Sequence, residues 1–85
     1  MNVLTDEVIV YYRDGCRLCE QVMASLSQFQ EELGYKIKQI DIDDDPELRE
    51  KYNVDVPVVS YRDEVIFYHF LDEVALRDAL QNQSV

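Results

Sequence analysis

The sequence predicts an α/β domain in which a mixed four-stranded sheet has helices packed on both faces. Short apolar runs alternate along the chain with longer segments whose apolar residues recur every three or four positions, a pattern typical of strands alternating with amphipathic helices. The last two predicted strands are separated by only two residues, so they must pair in antiparallel orientation. The predicted order of elements is therefore β-α-β-α-β-β-α.

Length and composition limit the chain to one small domain, residues 1–85. Hydrophobic residues make up 47% of the sequence, which is enough to build a single core. The formal net charge is −10, from 18 acidic and 8 basic residues. Because no cluster of Lys or Arg exists to neutralise phosphates, the composition disfavours binding to nucleic acid or to an anionic membrane surface. We expect a monomer.

Nothing in the sequence predicts export or membrane insertion. No apolar run approaches the roughly 20 residues that span a bilayer, and residues 1–7 lack the basic region and apolar core of a signal peptide. The two cysteines are three positions apart, and so short a loop constrains the unfolded chain little. In the cytosol such a pair indicates redox chemistry or metal binding. We therefore expect a cytoplasmic protein.

The first half of the chain predicts a strand, a long helix and a second strand. The first strand covers residues 7–12, where the apolar run 8–12 indicates burial on both faces. The helix covers residues 16–33, and Gly34 suits the left-handed residue that ends it. The second strand, residues 35–42, is expected to run parallel to the first through a right-handed crossover. The inward face of the helix consists of Cys19, Val22, Met23, Leu26, Phe29 and Leu33.

The second half begins with a short helix followed by a β-hairpin. Asp45 suits the N-cap and Pro46 the first position of this helix, which continues over residues 47–52. The hairpin strands are residues 58–61 and 64–70. A two-residue turn joins them.

A final helix closes the predicted fold. Asp72 is placed to cap a helix that covers residues 73–81. Residues 81–85 form a polar tail, for which we expect frayed structure. The residues expected to face inward from this helix are Val74, Leu76, Ala79 and Leu80.

The chain is organised around the motif Cys16-Arg17-Leu18-Cys19, which follows the first strand and a short turn containing Gly15. Cys16 would begin the helix, where unpaired backbone N–H groups and the positive end of the helix dipole favour a thiolate over a thiol. Without that help a thiol, with a pKa of about 8.5, is mostly protonated at neutral pH. Cys19 lies one turn further on the same side and can attack a mixed disulfide formed at Cys16. The motif predicts a dithiol–disulfide redox site.

Metal binding is the alternative use of these cysteines. A zinc site needs four ligands, and besides carboxylates the chain offers only His69 as a further candidate. A dimer that shares one metal ion between two cysteine pairs stays open. The acidic run 41–45 does not fit a calcium loop, because its sixth position is Pro46 instead of Gly and its twelfth is Tyr52 instead of Glu. We predict no metal site within one chain.

Three stretches of the sequence resemble the thioredoxin fold in its smallest, glutaredoxin-like version. They are the motif at 16–19, the acidic strand end at 39–44, and residues 52–58 with their Val-Pro pair. The chain is similar in particular to a family of small glutaredoxin-like proteins of unknown function, in which the cysteine motif and Val-Pro recur. The resemblance covers essentially the whole chain.

The resemblance implies a substrate site on the loop before the third strand. In the family, Pro57 would follow a cis peptide bond and lie against the cysteine pair, leaving the backbone N–H and C=O of Val56 free to pair with a cysteine-containing peptide. Asp72 matches the acidic position that holds the amino group of glutathione in the family. Arg17 is either solvated or contributes to the electrostatics of the substrate or the thiolate. No tightly bound cofactor is expected, and glutathione is a candidate reductant or co-substrate.

Two departures from typical glutaredoxins bear on glutathione binding. The motif interior is Arg17-Leu18, where an aromatic residue is usual, and His69-Phe70-Leu71 replaces a Gly-Gly pair that admits glutathione. Bulky side chains there would hinder its approach. His69 should return beside Pro57 at the end of the hairpin, either as an ordinary strand residue or as a proton relay to a thiol.

The sequence thus predicts a thiol–disulfide oxidoreductase that reduces protein or glutathione-mixed disulfides. Cys16 is the expected nucleophile, and Cys19 is the expected resolving cysteine. Two alternatives stay open at this point. One is a non-catalytic module that binds a partner at Val56-Pro57 or on an acidic face, since a fold does not establish an activity. The other is the metal-bridged dimer.

Overall fold

A computed structural model describes residues 6–81, and the predicted tail beyond Gln81 lies outside the described residues. The element order β-α-β-α-β-β-α is confirmed, with one short 3-10 turn added after the second strand. Within residues 6–81, no helix is both long and apolar enough to cross a membrane. The elements are β1 (Asp6–Tyr12), α1 (Arg17–Leu33), β2 (Tyr35–Asp41), the 3-10 turn (Ile42–Asp44), α2 (Pro46–Tyr52), β3 (Val58–Tyr61), β4 (Glu64–Tyr68) and α3 (Glu73–Gln81).

The strands form one mixed sheet in the order β2-β1-β3-β4. β1 and β2 are parallel, with Asp6 opposite Tyr35 and Tyr12 opposite Asp41. β3 is antiparallel to both β1 and β4. This topology brings the ends of β1 and β2 to the same edge of the sheet as the beginning of β3. The cysteine motif, the acidic run and the Val56-Pro57 loop therefore meet at this edge.

Two apolar clusters lie on opposite faces of the sheet, because successive strand residues point to opposite sides. The first cluster packs α1 and α3 against the sheet, and the second packs α2 and the 3-10 turn against the other face. Helices on both faces are thereby confirmed. The first cluster is built from Val8, Val10, Val22, Leu26, Tyr35, Val59, Tyr61, Phe67, Leu76 and Leu80. The second contains Cys19, Ile42, Tyr52, Val56 and Val58.

Gly34 ends α1 in the left-handed conformation that the sequence predicts, with φ 74° and ψ 45°. Its N–H donates to the carbonyl of Gln30 at 2.8 Å. The next residue, Tyr35, is buried, and its hydroxyl donates to the carbonyl of Leu26. Burial raises the pKa of Tyr35 to about 12. This contact ties the start of β2 back onto α1.

Substituting Gly34 with alanine is expected to lower the free energy of unfolding by about 1 kcal/mol, because an L side chain is strained at positive φ. No heavy atom lies within 4 Å of a Cβ built at this position, so steric overlap adds nothing. Urea unfolding measures the change. Asn at position 34, which tolerates the left-handed region, should recover part of the loss. An alanine variant as stable as the wild type would contradict the assigned C-cap.

The N-caps of α2 and α3 follow the sequence prediction. The carboxylate of Asp45 accepts the N–H of Glu47 at 2.9 Å at the start of α2, where Pro46 occupies the first position. The carboxylate of Asp72 accepts the N–H of Ala75 at 3.0 Å at the start of α3. Short polar side chains at these positions satisfy backbone donors that the helix itself leaves unpaired.

Three details of the prediction are wrong. β4 ends at Tyr68 instead of residue 70, because His69 adopts a left-handed φ of 64° that breaks the strand. β2 ends at Asp41, whose carboxylate accepts the N–H of Asp43 at 2.9 Å and turns the chain into the 3-10 segment. Val74 does not face inward but is 71% exposed. It lies two residues before buried Leu76, which places it on the opposite side of α3.

Candidate redox site

Cys16 is the N-cap residue of α1, immediately before the first helical residue. Its backbone is extended, with φ −97° and ψ 108°, and its sulfur accepts the backbone N–H of Cys19 at 3.1 Å. The sulfur thus takes the position that a Ser or Asp oxygen occupies in an ordinary cap. It lies where the helix presents unpaired N–H groups and positive potential.

The two cysteine side chains are within bonding distance of each other. Their Cα atoms are 5.2 Å apart, within the range found for disulfides, and the structure places the pair in the disulfide form. Cys19 is buried in the second cluster with 3% exposure, whereas Cys16 is partly exposed at its margin. Cys16 is therefore the sulfur that an external molecule reaches first.

The Val56-Pro57 loop lies in the same cluster as Cys19, and Cys16 packs against that cluster. Pro57 is fully buried, and the peptide bond between Val56 and Pro57 is cis. The structure therefore brings the cysteine motif and the Val-Pro pair together, as the resemblance to the glutaredoxin-like family implies.

His69 holds this loop from the β4 side. Its backbone N–H donates to the carbonyl of Pro57 at 2.8 Å, and its Nε2 lies 3.2 Å from the carbonyl oxygen of Val54. Because a carbonyl oxygen only accepts, Nε2 is the donor in this contact. His69 thus returns beside Pro57 as expected, but in the segment after the strand. Its ring is hydrogen-bonded to the backbone of the loop that carries Val56.

Arg13 links three segments around the motif, a role that the sequence reasoning missed. Its guanidinium donates to both carboxylate oxygens of Asp43, at 2.8 and 3.1 Å. It also donates to the side-chain oxygen and the backbone carbonyl of Asn53, at 3.0 and 3.3 Å. Arg13 precedes the turn that contains Gly15, so this part of the chain is held against the 3-10 turn and the end of α2. The sequence does contain a signal for this contact, because a basic residue next to the cysteine motif and the acidic run 41–45 are predicted at the same edge of the sheet.

The Arg13–Asp43 pair predicts a specific pH dependence. The hydrogen bond from Arg13 holds the pKa of Asp43 below its usual range. A carboxyl group with a lowered pKa in the folded state stabilises the fold above its ordinary pKa, and this contribution is lost as the pH falls through the lowered value. Arg13→Gln should therefore return the pKa of Asp43 toward normal. The part of the stability difference between Arg13→Gln and the wild type that comes from this ion pair should disappear at low pH, because Asp43 is then protonated in both proteins.

An NMR titration of the Asp43 carboxyl carbon measures this shift directly. Arg62→Gln is the matched control, because it also removes one arginine, whose 3.5 Å ion pair is with Asp6 and not with Asp43. The control should leave the Asp43 titration unchanged. An unaltered pKa in Arg13→Gln would mean that the bidentate pair does not form in solution.

Arg17 and Asp72, the other two predicted substrate-binding residues, are both exposed. Arg17 is the first helical residue of α1 and follows Cys16 directly. Asp72 uses one carboxylate oxygen to cap α3. Phe70, in the segment where glutaredoxins have Gly-Gly, is 65% exposed.

An open groove of about 330 Å³ lies beside the disulfide. The sequence reasoning did not single out this feature, because it forms only where β1, α1 and β2 pack together. It is lined by Tyr12, Arg13, Asp14, Gly15, Cys16, Cys19, Glu20, Met23 and Gln39.

A four-stranded mixed sheet with a Cys-x-x-Cys pair at the start of its first helix and a Val-Pro loop against that pair defines a glutaredoxin-like protein of the thioredoxin fold. Residues 7–81 match the Glutaredoxin-like domain (DUF836). This chain belongs to that family.

Two solved structures are similar to this chain over most of its length. Protein Ne2328 from Nitrosomonas europaea is 32% identical, with a TM-score of 0.85 over 95% of this chain and 98% of that one. The structural genomics target XcR50 from X. campestris is 29% identical, with a TM-score of 0.71 over 88% and 96% of the two chains.

A more distant similarity concerns the fold alone. Mitochondrial thioredoxin 3 from Saccharomyces cerevisiae, in its oxidised form, is 19% identical, with a TM-score of 0.59 over 92% of this chain and 78% of that one. No curated protein matches the sequence significantly.

Proposed function

We propose that this protein is a thiol–disulfide oxidoreductase that reduces disulfides in other proteins. One observation supports the proposal most strongly. The sulfur of Cys16 lies at the N-terminus of α1, accepts a backbone N–H there, and is within bonding distance of the Cys19 sulfur. A nucleophilic thiol needs stabilisation of its anion, and a disulfide exchange enzyme needs a second thiol in reach.

The reaction begins with the reduced dithiol. The Cys16 thiolate attacks one sulfur of the substrate disulfide, a new S–S bond forms to Cys16, and the substrate S–S bond breaks. The departing substrate sulfur leaves as a thiolate and takes a proton from water. This step produces a mixed disulfide between the substrate and Cys16.

Cys19 completes the reaction. Its thiol loses a proton, its sulfur attacks Cys16, and the substrate's second sulfur leaves as a thiolate. Two electrons have then passed from the protein to the substrate, and the protein holds the Cys16–Cys19 disulfide. Two equivalents of an external thiol, such as glutathione, return the pair to the dithiol and become a disulfide themselves. The cytoplasm supplies such thiols, and both the cytoplasmic location and the monomeric state remain predictions.

The substrate is proposed to lie along the Val56-Pro57 loop, pairing with the backbone of Val56 as a short added strand. The hydrogen bonds from His69 to the carbonyls of Val54 and Pro57 fix this loop at both ends. The features around it favour a protein chain over glutathione as the bound substrate. Bulky, exposed Phe70 follows His69 in the segment where glutaredoxins have Gly-Gly, and the Asp72 carboxylate is already engaged in capping α3.

The pH dependence of alkylation tests the activation of Cys16. In the reduced protein, the hydrogen bond from the Cys19 N–H and the helix N-terminus should lower the pKa of the Cys16 thiol below the ordinary value of about 8.5. The rate at which iodoacetamide modifies Cys16 should then reach half its maximum at a pH below about 8.5. Buried Cys19 should react more slowly. Mass spectrometry after digestion separates the two sites. If the alkylation rate of Cys16 reaches half its maximum only at or above the ordinary thiol pKa, the result would argue against an activated nucleophile.

Turnover decides between an enzyme and a binding module. We expect the wild-type protein to accelerate reduction of insulin disulfides by an external thiol, measured as the onset of insulin B-chain precipitation. Negligible acceleration would favour the non-catalytic module. The metal-bridged dimer predicts a different result, namely zinc or iron in protein purified without chelators. Across residues 6–81, no three His, Cys, Asp or Glu side chains group closely enough to hold a metal ion.

A further inference from the structure

The groove beside the disulfide is a separate surface from the Val56-Pro57 loop. Gln39 lies opposite Val10 in the sheet register, and Val10 belongs to the cluster under α1 and α3. Met23 of α1 packs against that same cluster. The groove thus opens on the α1 side of the sheet, and no residue of the 54–57 loop lines it. Both cysteines line it, so an occupant would lie beside the redox pair.

The groove combines an apolar interior with acidic edges. Tyr12 and Met23 supply apolar side chains next to Cys19. Asp14 and Glu20 line the same groove and are exposed. Burial raises the pKa of Tyr12, and the carboxylates of Asp41, Asp14 and Asp44 raise it further, which places negative charges around the Tyr12 hydroxyl.

Basic residues do not offset these charges. Arg13 lines the groove, but its guanidinium is paired with the Asp43 carboxylate at 2.8 Å. Lys36 and Lys38 lie three and one positions before Gln39 in β2 and therefore point to the opposite face of the sheet. Arg17 is not among the lining residues. The groove lining therefore carries more negative than positive side chains, namely Asp14 and Glu20 against the paired Arg13.

We propose that this groove binds a cationic segment of the substrate protein, with an apolar side chain inserted between Tyr12 and Met23 and a Lys or Arg beside Asp14 and Glu20. A volume of about 330 Å³ is at the lower end of the range for small-molecule sites, and it suits one or two side chains. The proposal rests on the proposed disulfide reductase function and names its substrate class. The substrate is a disulfide whose flanking residues are basic and apolar.

The same charges act against glutathione. Glutathione carries two carboxylates and one ammonium group, so it enters a negative groove less readily than a basic peptide does. The groove thereby discriminates between a protein disulfide to be reduced and the small anionic thiol that regenerates the dithiol. Glutathione can still attack the partly exposed Cys16 from outside the groove.

The test compares two capped pentapeptides, each presented as its disulfide-linked dimer: Lys-Leu-Cys-Leu-Lys and Glu-Leu-Cys-Leu-Glu. The measured quantity is the second-order rate constant for reduction by fully reduced protein, with released peptide thiol quantified by chromatography. We expect the cationic peptide to react about tenfold faster at low ionic strength, because complementary charges raise association rates. The ratio should shrink as salt is added. A ratio near one in the wild type overturns the proposal.

Paired substitutions locate the effect. Asp14→Asn with Glu20→Gln should reduce the cationic-to-anionic rate ratio about fivefold. Glu31→Gln with Glu50→Gln also removes two negative charges, but from exposed positions that do not line the groove. This control should leave the ratio within about twofold of the wild-type value. The ratio cancels any change in the reactivity of Cys16 itself. Equal losses in both double variants would mean that the overall charge, and not the groove, selects the substrate.

Two further measurements separate the parts of the proposal. Replacing both Leu residues of the cationic peptide with Ser should slow its reduction about fivefold if an apolar side chain enters the groove, and equal rates would overturn that part. Bis(2-hydroxyethyl) disulfide, small and uncharged, reports the basal chemistry. Failure of the wild type to reduce both this compound and the cationic peptide dimer refutes the proposed function. Reduction of this compound together with equal peptide rates refutes only the groove.

Discussion

Replacing Cys16 with serine is expected to abolish disulfide reduction, with a loss of at least about a thousandfold. The hydroxyl of serine does not ionise near neutral pH, so the helix N-terminus has no anion to stabilise. No mixed disulfide with the substrate can form at this position. Insulin reduction and single-turnover reduction of a peptide disulfide both measure the effect.

Cys19→Ser should give a different result, because it removes only the second step. The Cys16 thiolate still attacks the substrate, and the mixed disulfide then accumulates, which intact-protein mass spectrometry detects as an added substrate mass. Turnover of protein disulfides falls, whereas part of the activity on glutathione-mixed disulfides is kept through attack by free glutathione.

The control for both variants is the reduced wild-type protein, since neither variant can form the disulfide. Far-UV circular dichroism and the urea midpoint should match that control closely. If both serine variants lose activity equally and neither traps the substrate, the assignment of distinct roles to the two cysteines is incorrect.

Leu26→Ala is expected to lower the free energy of unfolding by about 3 kcal/mol, within the range of 2–5 kcal/mol typical of buried leucines. Leu26 is fully buried at the centre of the cluster between α1, α3 and the sheet. Truncating it leaves a cavity among close-packed side chains that cannot collapse fully. A domain of this size has a stability of roughly 4–13 kcal/mol, so the loss is a large share of the total. Urea unfolding should show a lower midpoint with an unchanged slope.

Val74→Ala is the matched control for this loss of buried volume. Val74 also carries an aliphatic side chain on a helix, but 71% of its surface is exposed. Its truncation should change stability by no more than about 0.5 kcal/mol. A large loss in Val74→Ala would indicate that a partner or another part of the chain covers this side of α3.

Much of this fold is predictable because its signals are local. The spacing of apolar residues along α1, the glycine after it and the Asp45-Pro46 pair each act within one or two turns of chain. All three features are found where the sequence places them. The errors fall where local and tertiary preferences compete. The apolar side chain of Val74 predicts a core position, although its place opposite buried Leu76 on α3 leaves it in solvent.

The end of β4 also shows where prediction from local sequence fails, in this case for the backbone. Residues 64–70 have strand-like composition, yet the chain turns at His69 because its N–H pairs with Pro57 and its ring pairs with Val54. These partners lie 12 and 15 positions earlier in the sequence. The hairpin predicts the return of His69 beside Pro57, but no local pattern encodes its contact with Val54.

The sequence by itself determined the order of the elements, their caps and the placement of Cys16 at a helix start, because each depends on neighbours a few residues away. Only the tertiary structure decided what surrounds the sulfurs. The Arg13 bridge to Asp43 and Asn53 and the acidic groove join residues from several elements. Their positions follow from how the sheet and helices pack, which a periodic pattern does not specify.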